Sequence, residues 1–355
     1  MKPVAVAFIG PRTVGFVAEE ERPLEPDTVR IRTLFSGIST GTELTAFRGT
    51  NPYLHQRWDQ PTRLFVNDPT RESLRFPVVG WGYEEVGQVI DVGAQVTDVP
   101  VGSVVYGTWG HRTHHTMAAD AARARLLPTE ADPVLGVFSQ IGAIALNGML
   151  DAAIRLGETV AVFGLGVVGQ LVAQLARLSG ADVIGVDPIP FRRDMATKLG
   201  CHHVLDAGDG DVAQTVKALT DGRGADVCIE ASGAAAALHE AIRACAYSSK
   251  VVALGFFQGQ AQGLRLGEEF HHNRINIVCS QIGGRAPELQ HRWDTLRLVH
   301  TFMHLAVRGD VDVQSLITHQ MPAGEASALF ALLDERPAEA LQAVLDFREP
   351  LSVID

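Results

Sequence analysis

Thr159-Val-Ala-Val-Phe163 runs directly into Gly164-Leu-Gly166-Val167-Val168-Gly169. A helix-compatible segment, Gln170 to Leu178, follows, and then a second apolar run, Ala181-Asp-Val-Ile-Gly-Val186, ends in Asp187. Strand, glycine turn, helix, strand and acid stand in the order that a dinucleotide-binding βαβ unit requires. Gly164 permits the sharp turn, Gly166 lets the backbone approach a pyrophosphate, and Gly169 lets the helix pack closely on the strand. The first helical residues, Val167 and Val168, bring free N–H groups and the positive end of the helix dipole to the phosphates. Asp187 is placed to accept hydrogen bonds from both ribose hydroxyls, which selects NAD, because a carboxylate would repel a 2′-phosphate. Arg192 follows closely and could soften that repulsion.

Outward from this unit the rhythm is strand–helix alternation. Candidate strands are Val160–Phe163, Val183–Val186, His203–Leu205, Val227–Glu230, Val251–Leu254 and Ile275–Cys279. With helical crossovers such as Pro190–Leu199 and Ala235–Ala246, they predict an α/β fold with a doubly wound parallel sheet. Ser232, Gly255 and Ser280 each follow one of these strands and complete the expected cofactor contacts. Before about residue 130 the chain is β-rich, with short runs such as Val4–Ile9, Thr28–Thr33, Gly87–Val92 and Ser103–Tyr106 punctuated by Gly and Pro. Tyr53–Arg75 reads as a long loop. Two helical stretches, Arg292–Arg308 and Gly324–Glu335, precede a last strand, Ala340–Phe347. The expected division is residues 1–135 with 286–355 as a substrate domain and 136–285 as the dinucleotide domain.

A chain of 355 residues with 46 % hydrophobic composition suits two cores. Its net charge of −11 argues against nucleic acid or an anionic membrane as a partner. No basic leader and no apolar run long enough to span a bilayer stand out, so a cytoplasmic protein is expected. Cys201, Cys228, Cys245 and Cys279 are scattered, which suits reduced, buried thiols.

The β-rich N-terminal part, the central dinucleotide unit and the C-terminal return resemble the medium-chain dehydrogenase/reductase superfamily over essentially the whole chain. Gly37-Ile-Ser-Thr-Gly-Thr-Glu-Leu44 is similar to that superfamily's G-I-C-G-T-D-L segment, and Gly82-Tyr-Glu-Glu-Val-Gly-Gln-Val-Ile-Asp-Val-Gly93 to its G-H-E-x-x-G-x-V-x-x-V-G segment. Asp226–Gly233 is a further mark. The resemblance implies a GroES-like catalytic domain beside a Rossmann domain. Within the superfamily, the S-T-G-T-E and G-Y-E pair looks most like the branch that contains bacteriochlorophyllide a dehydrogenase.

The resemblance also implies where a catalytic zinc would sit, and there the residues depart from it. The Cys position falls on Ser39, the His position on Tyr83, and the third near Ser139 or Gln140. Neutral hydroxyls are poor zinc ligands, and the four-Cys structural lobe is absent, so no metal is expected.

Some other group must then handle the proton during hydride transfer. Thr42 aligns with the relay hydroxyl of zinc relatives, or bonds nearby backbone. Tyr83 should direct its phenol at the substrate oxygen, and Ser39 bonds either substrate or backbone. Glu84 either orients Tyr83 or is solvated. His111, His114 and His115 form a further polar cluster that either shuttles protons at the substrate, with His114 the favoured member, or is a solvated or hydrogen-bonded loop-strand segment. The leading reading is an NAD-dependent, zinc-independent dehydrogenase acting on a secondary alcohol or ketone. An NADPH-dependent quinone or enoyl reductase and a non-catalytic cofactor-binding protein stay open. An exposed edge strand at Ile275–Cys279 would be covered by a homodimer partner.

Overall fold

A computed structural model describes residues 2–67 and 74–351, and the chain divides into two units, Met1–Gln140 with Ile317–Asp355, and Ile141–Leu316. The first unit begins with β1 (Val4–Gly10), β2 (Thr13–Ala18), β3 (Thr28–Ile38), α1 (Thr40–Arg48), β4 (Arg57–Asp59) and β5 (Leu64–Val66). It continues with β6 (Val78–Val79), β7 (Glu85–Val92), β8 (Val104–Gly107), β9 (His114–Ala118) and α2 (Ala119–Arg123). The helix α3 (Phe138–Ala152) leads into the second unit. There follow β10 (Thr159–Phe163), α4 (Val167–Leu178), β11 (Asp182–Asp187), α5 (Pro190–Lys198), β12 (His203–Asp206), α6 (Val212–Leu219), β13 (Ala225–Glu230), α7 (Ala235–Ala244), β14 (Cys245–Ala253), β15 (Asn276–Cys279) and α8 (Thr295–Arg308). The chain returns to the first unit through β16 (Ile317–Pro322), α9 (Ala326–Glu335) and β17 (Gln342–Asp346).

In the second unit the strands pair in the order β12-β11-β10-β13-β14-β15, all parallel. This is the order of a doubly wound dinucleotide fold, with the first glycine turn at the point where the winding reverses. Near-continuous apolar runs suit strands covered on both faces. Ala161, Phe163, Ile184, Val186, Cys228 and Val251 meet Val216 of α6 and Ile242 of α7 in one buried cluster.

In the first unit β3 is the organising strand. It pairs antiparallel with β7, β9 and β17, in a sheet that runs β16-β17-β3-β7-β8. Val29, Ile31, Val89 and Val105 fill one core. A second core packs Phe8, Phe47 and Phe330, with ring centroids 5.0–5.7 Å apart.

Four expectations are corrected. The return to the first unit falls at Ile317, not at residue 286, so α8 belongs with the dinucleotide unit. A Cβ on Gly142 would lie 2.0 Å from the Phe302 ring of α8, so that pairing needs a glycine. The Gln174 amide also clamps the Asp312 backbone, accepting its N–H at 2.8 Å and donating to its carbonyl at 3.2 Å. Part of the expected Tyr53–Arg75 loop is an antiparallel hairpin, β4 with β5, in which Trp58 and Phe65 rings meet at 5.0 Å; residues 68–73 lie outside the described residues. The helical stretch Pro133–Ala152 is long and apolar enough to cross a bilayer, but 78 % of its most apolar stretch is buried inside the protein, as befits a core helix. Cys228 and Cys245 are buried, whereas Cys201 is partly so and Cys279, on the edge strand, is exposed.

Candidate functional site

The glycine turn of the second unit is built as its sequence implies. Gly164 adopts a φ of +91°, which only glycine takes without strain, and a Cβ on it would meet Ser232 at 2.7 Å. A Cβ on Gly169 would stand 1.8 Å from the Gly164 carbonyl oxygen, so α4 can begin there only without a side chain. A Cβ on Gly166 would meet nothing within 4 Å; this is the open space that a pyrophosphate requires. Gly166 caps α4 without a side-chain hydrogen bond, and Val167 and Val168 remain partly exposed. First-turn amides at a helix start have no partner in their own helix.

Asp187 ends β11 and is almost wholly buried. Its carboxylate accepts from the Leu165 N–H at 2.7 Å and the Ile189 N–H at 2.8 Å, which joins the acid to the glycine turn. The Arg192 guanidinium lies 3.9 Å away. At the end of β13, Glu230 accepts from the Ser232 N–H at 2.7 Å and from the Ser232 hydroxyl, and burial raises its carboxyl above the usual range. A Cβ on Gly255 would meet the Gly233 nitrogen at 2.2 Å and the Glu230 carboxylate at 2.7 Å. Gly164, Ser232 and Gly255 therefore converge at the carboxyl ends of β10, β13 and β14. Ser280 directly follows β15, but its buried hydroxyl is engaged by Asn147 at 3.3 Å. The donors, acceptors and glycine gaps fit a dinucleotide.

In the first unit β3 and α1 bring Ser39 and Thr42 to Tyr83. Ser39 caps α1, yet its hydroxyl makes no capping bond; it pairs with the Tyr83 hydroxyl, which also donates to Thr42 Oγ1 at 3.3 Å. Tyr83 keeps some exposed surface, but burial, followed by the nearby Glu84 charge, pushes its phenol well above the ordinary range. The phenol is thus held neutral, as a hydroxyl that can both donate and accept.

Behind these hydroxyls lies a buried network that the sequence reading missed. The Ser39 N–H donates to Glu43 at 2.8 Å, and the other Glu43 oxygen meets His111 Nε2 at 2.6 Å. His111 Nδ1 lies 2.6 Å from the Ser36 hydroxyl, which donates to Glu85 at 3.1 Å; Glu85 also accepts the Trp109 N–H at 2.6 Å. Glu84 accepts from Gln342 at 2.9 Å, and its other oxygen is buried without a partner. Burial, and then the Glu43 charge, hold the Glu84 carboxyl well above the usual range; burial also raises Glu85. Burial alone would lower His111, but the Glu43 carboxylate outweighs it and raises the imidazole.

The three histidines separate. Only His111 joins this network, while His114, the favoured member of the cluster, does not. His114 pairs with Arg32 on β3, and Ser39 lies seven positions further along the chain, about 23 Å at roughly 3.3 Å per residue. His114 and His115 instead line a cavity of about 550 Å³ with Glu19, Arg30 and Arg112. Burial lowers His114, and burial with Arg112 and Arg22 pushes His115 down to about 4.

The hydroxyl cluster of the first unit is a poor donor set for a zinc ion. Ser39, Thr42 and Tyr83 offer neutral oxygens, the phenol resists ionisation, and both ring nitrogens of His111 are engaged.

Residues 167–299 match the model of the zinc-binding dehydrogenase family. D-guloside 3-dehydrogenase of Escherichia coli (strain K12) is 32 % identical over 343 residues, covering 95 % of this chain and 98 % of that protein. Among solved structures, an oxidoreductase/dehydrogenase of unknown specificity from Escherichia coli superposes with a TM-score of 0.78 at 18 % identity, covering 98 % of this chain and 99 % of that one. A zinc-binding dehydrogenase described as putative, from Sinorhizobium meliloti 1021 and bound to NADP, gives 0.75 at 21 % identity, covering 98 % and 99 %.

Proposed function

Because this chain belongs to the medium-chain dehydrogenase/reductase superfamily, we propose that it is an NAD-dependent, zinc-independent alcohol dehydrogenase that oxidises a secondary hydroxyl on a sugar-like or polyol substrate. The observation that carries this reading is the meeting of Ser39, Thr42 and Tyr83 hydroxyls at positions where the resemblance would put metal ligands and a proton relay. The likeness to a protein named for the dehydrogenation of a D-guloside at position 3 supports the substrate class. Asp187, held by Leu165 and Ile189, supports NAD over NADP.

The bound dinucleotide supplies the hydride acceptor. The chain's own residues handle the proton. Tyr83 accepts the alcohol proton on its phenol oxygen as its own proton passes to Thr42 or Ser39 and on to water; reduction runs the same path in reverse. The neutral phenol donates a hydrogen bond to the carbonyl oxygen without leaving a buried charge. The open apolar edge of β15, with Ile277 and Cys279 exposed, supports a homodimer closed on that edge.

The test is NAD reduction over a panel of glycosides, polyols and simple secondary alcohols. Turnover on a glycoside or polyol with NAD is the expected result. A preference for NADPH with an enone or quinone would establish the reductase reading, and cofactor binding with no turnover on any substrate class would establish the non-catalytic one.

A further inference from the structure

We propose that His239, Glu268 and Glu269, on the dinucleotide unit, form a site for one zinc-type divalent ion that ties the segment Leu266–Phe270 to α7. His239 sits in the middle of α7, and the two carboxylates come from Leu266–Phe270, a wide helical turn packed against that helix. One ligand atom from each residue lies within 4.8 Å of the others.

The burial makes this more than a cluster of surface acids. His239 is only 7 % exposed, and neither ring nitrogen has a hydrogen-bond partner. An imidazole has two ring nitrogens that each need a partner when buried, and the protein supplies one to neither. Glu269 repeats the pattern: one oxygen takes the Arg243 Nε at 3.3 Å, and the other is buried with no partner. An unpartnered imidazole and an unpartnered carboxylate oxygen, on residues whose ligand atoms come within 4.8 Å of one another, are the donors a cation needs.

The charges agree. Arg243 is paired with Asp211 at 2.6 Å, Glu240 at 2.8 Å and Glu269 at 3.3 Å, and Arg265 with Glu268 at 2.6 Å. Four carboxylates against two guanidinium groups leave two negative charges, the charge of one divalent ion.

One imidazole nitrogen with two carboxylate oxygens suits zinc better than calcium or magnesium, which take oxygen ligands, and better than ions that prefer thiolate. Zinc bonds of about 2.0–2.2 Å put tetrahedral ligands roughly 3.5 Å apart, so the side chains need to close by about 1 Å. Glu268 is half exposed and can turn to do so. The zinc positions implied by the superfamily resemblance, at Ser39, Tyr83 and Ser139 or Gln140, all belong to the other unit. The inference stands apart from the proposed activity.

The experiment uses the full chain, stripped with a chelator and titrated with zinc chloride by calorimetry, with magnesium chloride as the control. The expected result is one zinc per chain, no magnesium binding, and a melting temperature that rises with zinc. His239→Ala and Glu269→Gln should each weaken zinc binding at least tenfold and remove the melting shift, while Tyr83→Phe leaves both unchanged. Should Glu269→Gln fail to fold because Arg243 loses a partner, His239→Ala decides, since alanine suits a helix and removes an unmet ring. No zinc binding by the wild type, binding retained in His239→Ala, or binding lost in Tyr83→Phe would each overturn the proposal.

Discussion

In the proposed reading, the Tyr83 hydroxyl stands where the superfamily resemblance would put a metal ligand, beside Ser39 and Thr42. Tyr83→Phe keeps the ring and removes only the group that meets Ser39 and Thr42. Removing a positioned acid or base typically costs about 10²–10⁴ in rate, so kcat should fall by that order while NAD affinity, measured by fluorescence titration, stays as it was. Asp187→Ala removes the carboxylate that the proposed reading assigns to the ribose hydroxyls. NAD affinity should drop by about tenfold to a hundredfold, the loss of a charged hydrogen bond, and the gap between NAD and NADP should narrow. A wild type that binds NADPH more tightly than NADH would refute that use of Asp187. At this scale the glycine turn and the place of Asp187 beside it are legible, because a βαβ unit sets both within one short stretch. The separation of His111 from His114 and His115 is not legible, because spacing does not reveal where a strand begins. The chain bridges to Ala5 at Arg112 and enters β9 only at His114, which divides His111 from its neighbours. The Glu43, Glu85 and Gln342 contacts were illegible for another reason. Acids far apart in sequence look like solvated surface until a sheet brings them together.

The elements carry two further expectations. Gly169→Ala would force a methyl against the Gly164 carbonyl oxygen and push α4 off its strand. Overpacking of this kind costs about 1–3 kcal/mol, so NAD binding should weaken by roughly tenfold or more, with the fold intact by circular dichroism. Between β3, α1 and β7 the buried Glu43–His111 pair should set the pH response. His111 is raised above the ordinary histidine value of 6.5, so the stability it contributes is complete below about pH 6.5. That stability is lost as pH rises from there through the raised value. Glu84 and Glu85 act in the same direction, because charging a buried carboxyl costs stability as pH climbs above its unfolded value near 4.5. Melting temperature should therefore decline on the alkaline side. His111→Ala, which leaves Glu43 without its cation, should cost about 3–5 kcal/mol at neutral pH and flatten that decline. A melting profile equally steep in the variant would contradict this. Most strands were readable from apolar runs and Gly or Pro punctuation. The short β4–β5 hairpin was not, because strands this brief carry no period.

Over the whole molecule, the superfamily architecture was readable because motifs from both units agree, whereas the second domain crossing depends on how Phe302 and Gln174 pack, which no motif announces. The exposed edge of β15 predicts a dimer by light scattering at micromolar concentration, and a monomer there would remove the argument from the open edge. The central claim is that hydroxyls take the place of a catalytic metal. Its most direct measurement is steady-state NAD reduction by wild type and Tyr83→Phe, each before and after exhaustive chelation, on a substrate found in the panel. Wild-type turnover should be unchanged by chelation, and turnover in Tyr83→Phe should be lower by about a hundredfold or more. Wild-type activity that vanishes on chelation and returns with zinc, together with full activity in Tyr83→Phe, would contradict it.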